Sequence, residues 1–303
     1  MWTYKISGDG ANVNQVGISA DGFKVVAGTS TGDVLMISDQ GDLVWTYSGS
    51  GDAPAGVTTR SVTGLGIDSD GNRIVAGFSD DSGTETAAGA LYLLDERPIK
   101  IWSVAIGGPV NEAGISDDGT RIAAGSADHN VYSLNQDGIT RYKIETPAGT
   151  TQPENVAAVS AGGTRTVAGD LASEFYLLNI EGVKIWTFAT DAVVNSVAVS
   201  TSANRVAAGT AGGSLYVLTS QGILISQSKY PETSIIALAT NASNSRFVAG
   251  TADGRLLVFN GQGTLSWQTF LGDAVTSVAV TSTGSKIVAS SGNTVHLLTG
   301  DGP

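Results

Sequence analysis

The chain has 303 residues, no cysteine and a net charge of −12. A disulfide framework, a thiolate metal site and a cysteine nucleophile are therefore excluded. The 16 basic residues are scattered, so the clustered cationic face that nucleic-acid binding draws on is absent.

The chain opens Met1-Trp2-Thr3-Tyr4-Lys5-Ile6, an aromatic strand pattern rather than a signal peptide. That start leads us to expect a domain cut from a longer precursor, or a mature form given a new Met. From about residue 11 a unit of four short strands begins, and it repeats seven times. The copies cover about 11–51, 57–107, 109–147, 153–191, 192–231, 232–273 and 274–303. Their innermost strands are predicted at 13–19, 62–68, 110–116, 155–160, 194–200, 234–240 and 275–281. Small residues occupy the middle of these strands, at Gly17, Gly66, Gly114, Ala158, Ala198 and Ala279, as close backbone approach round an axis requires. Hairpin dipeptides follow, among them Asp21-Gly22, Asp70-Gly71 and Asp118-Gly119.

The second strand of each unit ends in an Ala-Gly pair at 27–28, 76–77, 124–125, 168–169, 208–209 and 249–250, with Ala289-Ser290 in the seventh copy. The intervals between the second residues of these pairs are 49, 48, 44, 40, 41 and 40. Four short strands at this period are the signature of propeller blades. The third strand is a continuous apolar run, such as 215–218 or 256–259, which fits a strand buried on both faces. After a Gly-ended turn come Trp45, Trp102, Tyr142, Trp186 and Trp267. One aromatic at one fixed position per unit is a repeated packing contact.

Copy five carries Ser226 at that place, and copy seven ends before reaching it. The missing strand is Trp2-Thr3-Tyr4, which resembles Trp45-Thr46-Tyr47 and Trp186-Thr187-Phe188. The expected fold is all-β, a single seven-bladed β-propeller with four antiparallel strands per blade. Its N-terminal strand completes the last blade and removes an exposed edge.

Two features carry candidate sites. Asn14, Thr63, Asn111, Asn155, Asn195 and Thr276 recur near the start of the inner strands, with Ile235 at the nearest place in copy six. They are expected to ring one mouth of the central channel. There they either bind a small polar ligand or satisfy the backbone where the inner strands begin. The insertion Asp80-Asp81-Ser82-Gly83-Thr84-Glu85-Thr86 is either a solvated loop or a set of oxygen ligands (Asp80, Asp81, Glu85) for a calcium ion. A second insertion at 49–56 precedes the same blade. The acid pairs Asp68/Asp70, Asp80/Asp81 and Asp117/Asp118 fall in predicted hairpin turns, where Asp bonds the local backbone. His129 is placed in a turn and His296 on a third strand, so no Ser/His/Asp arrangement is expected.

The stretch Ala252-Asp253-Gly254-Arg255-Leu256-Leu257-Val258-Phe259, with Gly263 and Trp267 after it, resembles the repeat of pyrroloquinoline-quinone-like propellers. Ser116-Asp117-Asp118-Gly119-Thr120-Arg121-Ile122-Ala123-Ala124-Gly125-Ser126 resembles a WD40-type repeat, although Gly-His and Trp-Asp dipeptides are missing. The resemblance covers the whole chain and implies propeller domains of archaeal and bacterial surface proteins, most of them binding or structural modules. Quinone-dependent dehydrogenases of this fold have eight blades, a calcium site and usually a vicinal cysteine pair. Seven blades and no cysteine lead us to expect no cofactor. The expected role is non-enzymatic recognition of a protein or glycan at the cell surface by a module that is monomeric in isolation and lacks a membrane span. An intracellular scaffold is the alternative, and a quinoprotein-like or glycosidase-like enzyme a further one.

Overall fold

The computed structural model describes residues 1–6, 10–81, 88–145, 163–201 and 203–302, and of 156–159 the strand alone. Seven four-stranded antiparallel sheets make up the chain. Blade one runs Val13–Ile18, Lys24–Thr29, Asp33–Ser38 and Leu43–Ser48, from the axis outward. The inner strands of the other blades are Thr59–Ile67, Val110–Ile115, Val156–Val159, Val194–Val199, Ile235–Thr240 and Val275–Val280.

Middle strands are apolar on both faces because each blade lies between two others. Successive side chains of a strand point to opposite faces. Val25 and Ala27 accordingly pack with Val288, Val295 and Leu297 of blade seven. Val26 packs with Val62, Leu65 and Ile74 of blade two. Each such fully buried aliphatic contributes about 1.5–3 kcal/mol.

The Ala-Gly pair has a steric cause. The Gly of one blade lies where an inner-strand residue of the next blade stands. A Cβ at Gly28 would meet Val62 Cγ1 at 2.4 Å, and one at Gly77 would meet Val110 Cγ1 at 2.4 Å. Gly169 faces Val194, and Gly209 faces Ile235, in the same way.

The recurring tryptophans fasten each blade to its successor. Trp102 Nε1 donates to Gln136 O at 2.8 Å, Trp186 Nε1 to Ser220 O at 2.9 Å and Trp267 Nε1 to Gly300 O at 2.9 Å. The rings lie on the turn glycine of that next blade, Trp102 on Gly138 and Trp186 on Gly222. Tyr142 instead bonds Thr166 Oγ1 at 2.8 Å. Ser226 leaves a buried hydroxyl without a hydrogen-bond partner among the described residues. Trp186→Phe keeps most of the packing and deletes the N–H donor. We expect it to cost about 1 kcal/mol in a denaturant melt, whereas a cost near zero would show that the bond is idle.

The N-terminal strand Trp2–Lys5 closes the ring as its sequence implied. It pairs antiparallel with Thr294–Thr299, with Trp2 opposite Leu297 and Tyr4 opposite Val295. Trp2 Nε1 then donates to Asp39 O of blade one at 2.8 Å. This is the contact every other tryptophan makes with its neighbour.

Candidate functional site

Around the axis, each inner strand of the described blades other than blade four carries a β-bulge near its start. Val13 pairs with Thr29 and Gln15 with Gly28, which leaves Asn14 as the extra residue. Thr63, Asn111, Asn195 and Thr276 are the bulged residues of their strands. In blade six the register puts Ile236 there, not Ile235. Asn155 lies outside the described residues.

A bulge re-aims its extra side chain, here at the next blade. Asn14 Nδ2 donates to Val62 O at 3.1 Å, Asn195 Nδ2 to Ile235 O at 3.2 Å and Thr276 Oγ1 to Val13 O at 2.9 Å. The Thr63 hydroxyl donates to Val110 O. Inner strands are sheet edges with unpaired carbonyls, and the ring satisfies them. Each Asn thus commits one amide N–H, and each Thr its hydroxyl, to joining blades.

Directly beneath the ring lies a cavity of about 140 Å³. In five of the six bulged strands the residue after the bulge faces it: Gln15, Glu112, Ser196, Ala237 and Ser277. Gln15 Nε2 donates to Thr63 O at 2.9 Å, and its Oε1 accepts from Ser277 Oγ at 3.1 Å. Glu112 differs, because its Oε2 is shut off from solvent and has no hydrogen-bond partner among the described residues. Burial pushes this carboxyl from its ordinary 4.5 up to about 8.

The folded chain therefore holds a proton at Glu112 that the unfolded chain has released. Stability attached to this group falls as pH rises between those two values. We expect Glu112→Gln to remove that fall and to be more stable than the parent at pH 9, by an amount approaching the ~5 kcal/mol that such a shift represents. Parallel pH profiles of the two proteins in thermal melts would contradict the assignment.

The other end of the channel has a cavity of about 170 Å³ ringed by Ile18, Ile67, Ile115 and Val199, with Asp68 and Asp117 beside them. Both carboxyls are pushed up from their ordinary value, chiefly by desolvation. Asp68 is held by its own turn, accepting from Asn72 N at 2.8 Å and Arg73 N at 3.1 Å.

The acidic insertion does not assemble as three free carboxylates. Asp80 and Asp81 end the strand Arg73–Asp81 and are not in a hairpin turn. Thr59 and Arg60 extend the inner strand to pair with them. Asp80 is buried, with both oxygens on Arg60, Oδ1 to Nε at 2.6 Å and Oδ2 to Nη2 at 2.7 Å. Asp81 stands at the exposed strand end, and Glu85 lies outside the described residues. No group of three His, Asp or Glu side chains that could hold a metal occurs among the described residues. His296 is a half-buried third-strand residue opposite Thr3.

A feature that the sequence reading missed lies on the rim. In every blade, the three residues ahead of the aromatic position include an exposed aliphatic or Met side chain. These are Leu43 and Val44, Ile99 and Ile101, Ile139, Val183 and Ile185, Ile223 and Leu224, Leu265, and Met1. Ile139, Val183 and Ile223 are 61, 60 and 64 % exposed.

Their backbone is locked. Asn135 Oδ1 accepts from Asp137 N at 3.1 Å and Ile139 N at 2.9 Å. Asn179 does the same for Glu181 and Val183, and Asn260 for Gln262 and Thr264. The belt is therefore rigid, and its sequence signal is an aliphatic residue following a turn that opens on Asn, Asp, Ser or Thr.

Residues 172–303 match a family model described as outer membrane protein assembly factor BamB. Together with the seven blades, that match supports a pyrroloquinoline-quinone-like β-propeller repeat domain. It suggests a protein-interaction or scaffold module. No curated protein matches the chain.

Proposed function

We propose that the chain is a non-enzymatic protein-interaction module of a larger secreted or cell-surface protein, and that it holds its partner along the rim. The exposed aliphatic belt carries this reading. Scattered exposed apolar residues are ordinary, whereas apolar residues exposed in register round a whole molecule mark an interaction surface. Rigid turns lower the ordering cost of binding. The net charge of −12 keeps such a surface soluble. The matched family is described as an assembly factor, which is in keeping with a scaffold that engages other proteins.

His129 and His296 sit on blades three and seven, apart from both channel cavities.

The test is a variant with Val44→Lys, Ile139→Lys, Val183→Lys and Ile223→Lys. Each position is exposed, so each change should alter stability by less than about 0.5 kcal/mol. In native extracts of source cells we expect the parent to elute in an assembly heavier than the mass its own polypeptide shows under denaturing conditions, and the variant to elute at that polypeptide mass. A variant that stays in that assembly would count against the rim.

A further inference from the structure

The cavity beneath the mouth holds a buried carboxyl group with no counterpart. Glu112 is the only ionisable residue lining it, and no Lys or Arg reaches in among the described residues. Gln15 has its amide nitrogen and oxygen both engaged, with Thr63 O and Ser277 Oγ. Asn195 has spent a donor on Ile235 O. Among the described residues no hydrogen-bond donor reaches Glu112 Oε2. A buried acceptor without a donor is costly and calls for a partner.

A divalent cation fits poorly, since such ions take several carboxylate or carbonyl oxygens at once and a single carboxylate faces this space. A primary ammonium group fits better, with one positive charge, three N–H donors and a compact head. A space of about 140 Å³ takes that head and the first carbons of its stem.

We propose that the channel is a binding site for a primary ammonium group, held by the buried Glu112 carboxylate beneath the bulge ring. The ammonium can come from a free amine or from a lysine side chain of another protein. Binding keeps Glu112 ionised, because the bound cation replaces the proton as its partner. The site lies on the axis and is separate from the rim, so either can fail without the other.

The probe is methylammonium chloride, with tetramethylammonium chloride at equal concentration as a cation lacking N–H donors. At pH 8 we expect methylammonium near ten times its dissociation constant to raise the Tm by ~2–4 °C over tetramethylammonium. The Glu112 carboxyl resonance, followed by carbon NMR, should titrate at lower pH in its presence. Glu112→Gln should fold and lose the selective rise. Nα-acetyl-lysine methylamide, whose side-chain ammonium is free, outdoing methylammonium would point to a protein side chain as the source, and the reverse order to a free amine. An equal rise in parent and Glu112→Gln, or no rise in the parent, would overturn the proposal.

Discussion

Removal of residues 1–6 is expected to lower the stability of the chain by about 5 kcal/mol or more. Two buried groups account for most of the loss. Trp2 lies on Gly41 and donates to Asp39 O, and Ile6 is buried with Val13, Val16 and Val295 in the cluster between blades seven and one. Deleting a large aromatic costs about 3–5 kcal/mol when fully buried and a buried isoleucine about 2–5. Trp2 is half-buried, which places it at the lower end. The deletion also bares the edge of Thr294–Thr299, whose free backbone groups template association with other chains. The expected result is a Tm lower by roughly 10–20 °C, with aggregation on heating. A truncated protein that melts like its parent would show that Trp2–Lys5 is not part of the closed ring.

Arg60→Met is expected to cost about 3–5 kcal/mol, because it strands a buried carboxylate. Arg60 is 3 % exposed and Asp80 2 %. Beyond its two bonds to Asp80, Arg60 Nη1 donates to Gly49 O at 2.9 Å and to Tyr92 Oη at 3.0 Å. Its guanidinium lies 4.7 Å from the centre of the Phe78 ring. Tyr92 Oη in turn donates to Asp52 O at 3.0 Å, so one arginine ties the short helical turn Gly49–Asp52 to blade two. Replacing both charges together, Arg60→Met with Asp80→Leu, should recover most of the loss, since the stranded charge is then gone. A double-mutant cycle in denaturant melts checks this, and a single variant costing under about 1 kcal/mol would contradict it.

What could be read from the sequence followed from locality. The Ala-Gly pairs, the turn glycines and the aromatic positions repeat with a fixed spacing, so blade number and the closing role of Trp2 are visible in the chain itself. The purpose of the glycine was not visible, because Val62 stands 34 residues beyond Gly28 on another blade. Arg60 and Asp80 are 20 residues apart, and Asp80 is followed by Asp81 and Ser82, so it resembled a loop acid. The pairing of Arg60 with Asp80 across a longer hairpin decides otherwise. Asn14, Thr63, Asn111, Asn195 and Thr276 were picked out from sequence and are the bulged residues of their strands, whereas in blade six Ile235 and Ile236 are chemically alike and only the register separates them. Glu112 gave no signal, since its isolation depends on side chains from several other blades.

The most direct test of rim recognition is site-specific photo-cross-linking in source cells. A benzophenone side chain would replace Ile139 or Ile223 on the rim, and, as controls on the same molecule, Thr120 or Thr283 in exposed inner hairpins. The account predicts one discrete protein adduct shared by the two rim positions and none from the two controls. Adducts from the controls alone, or none from either rim position, would contradict it.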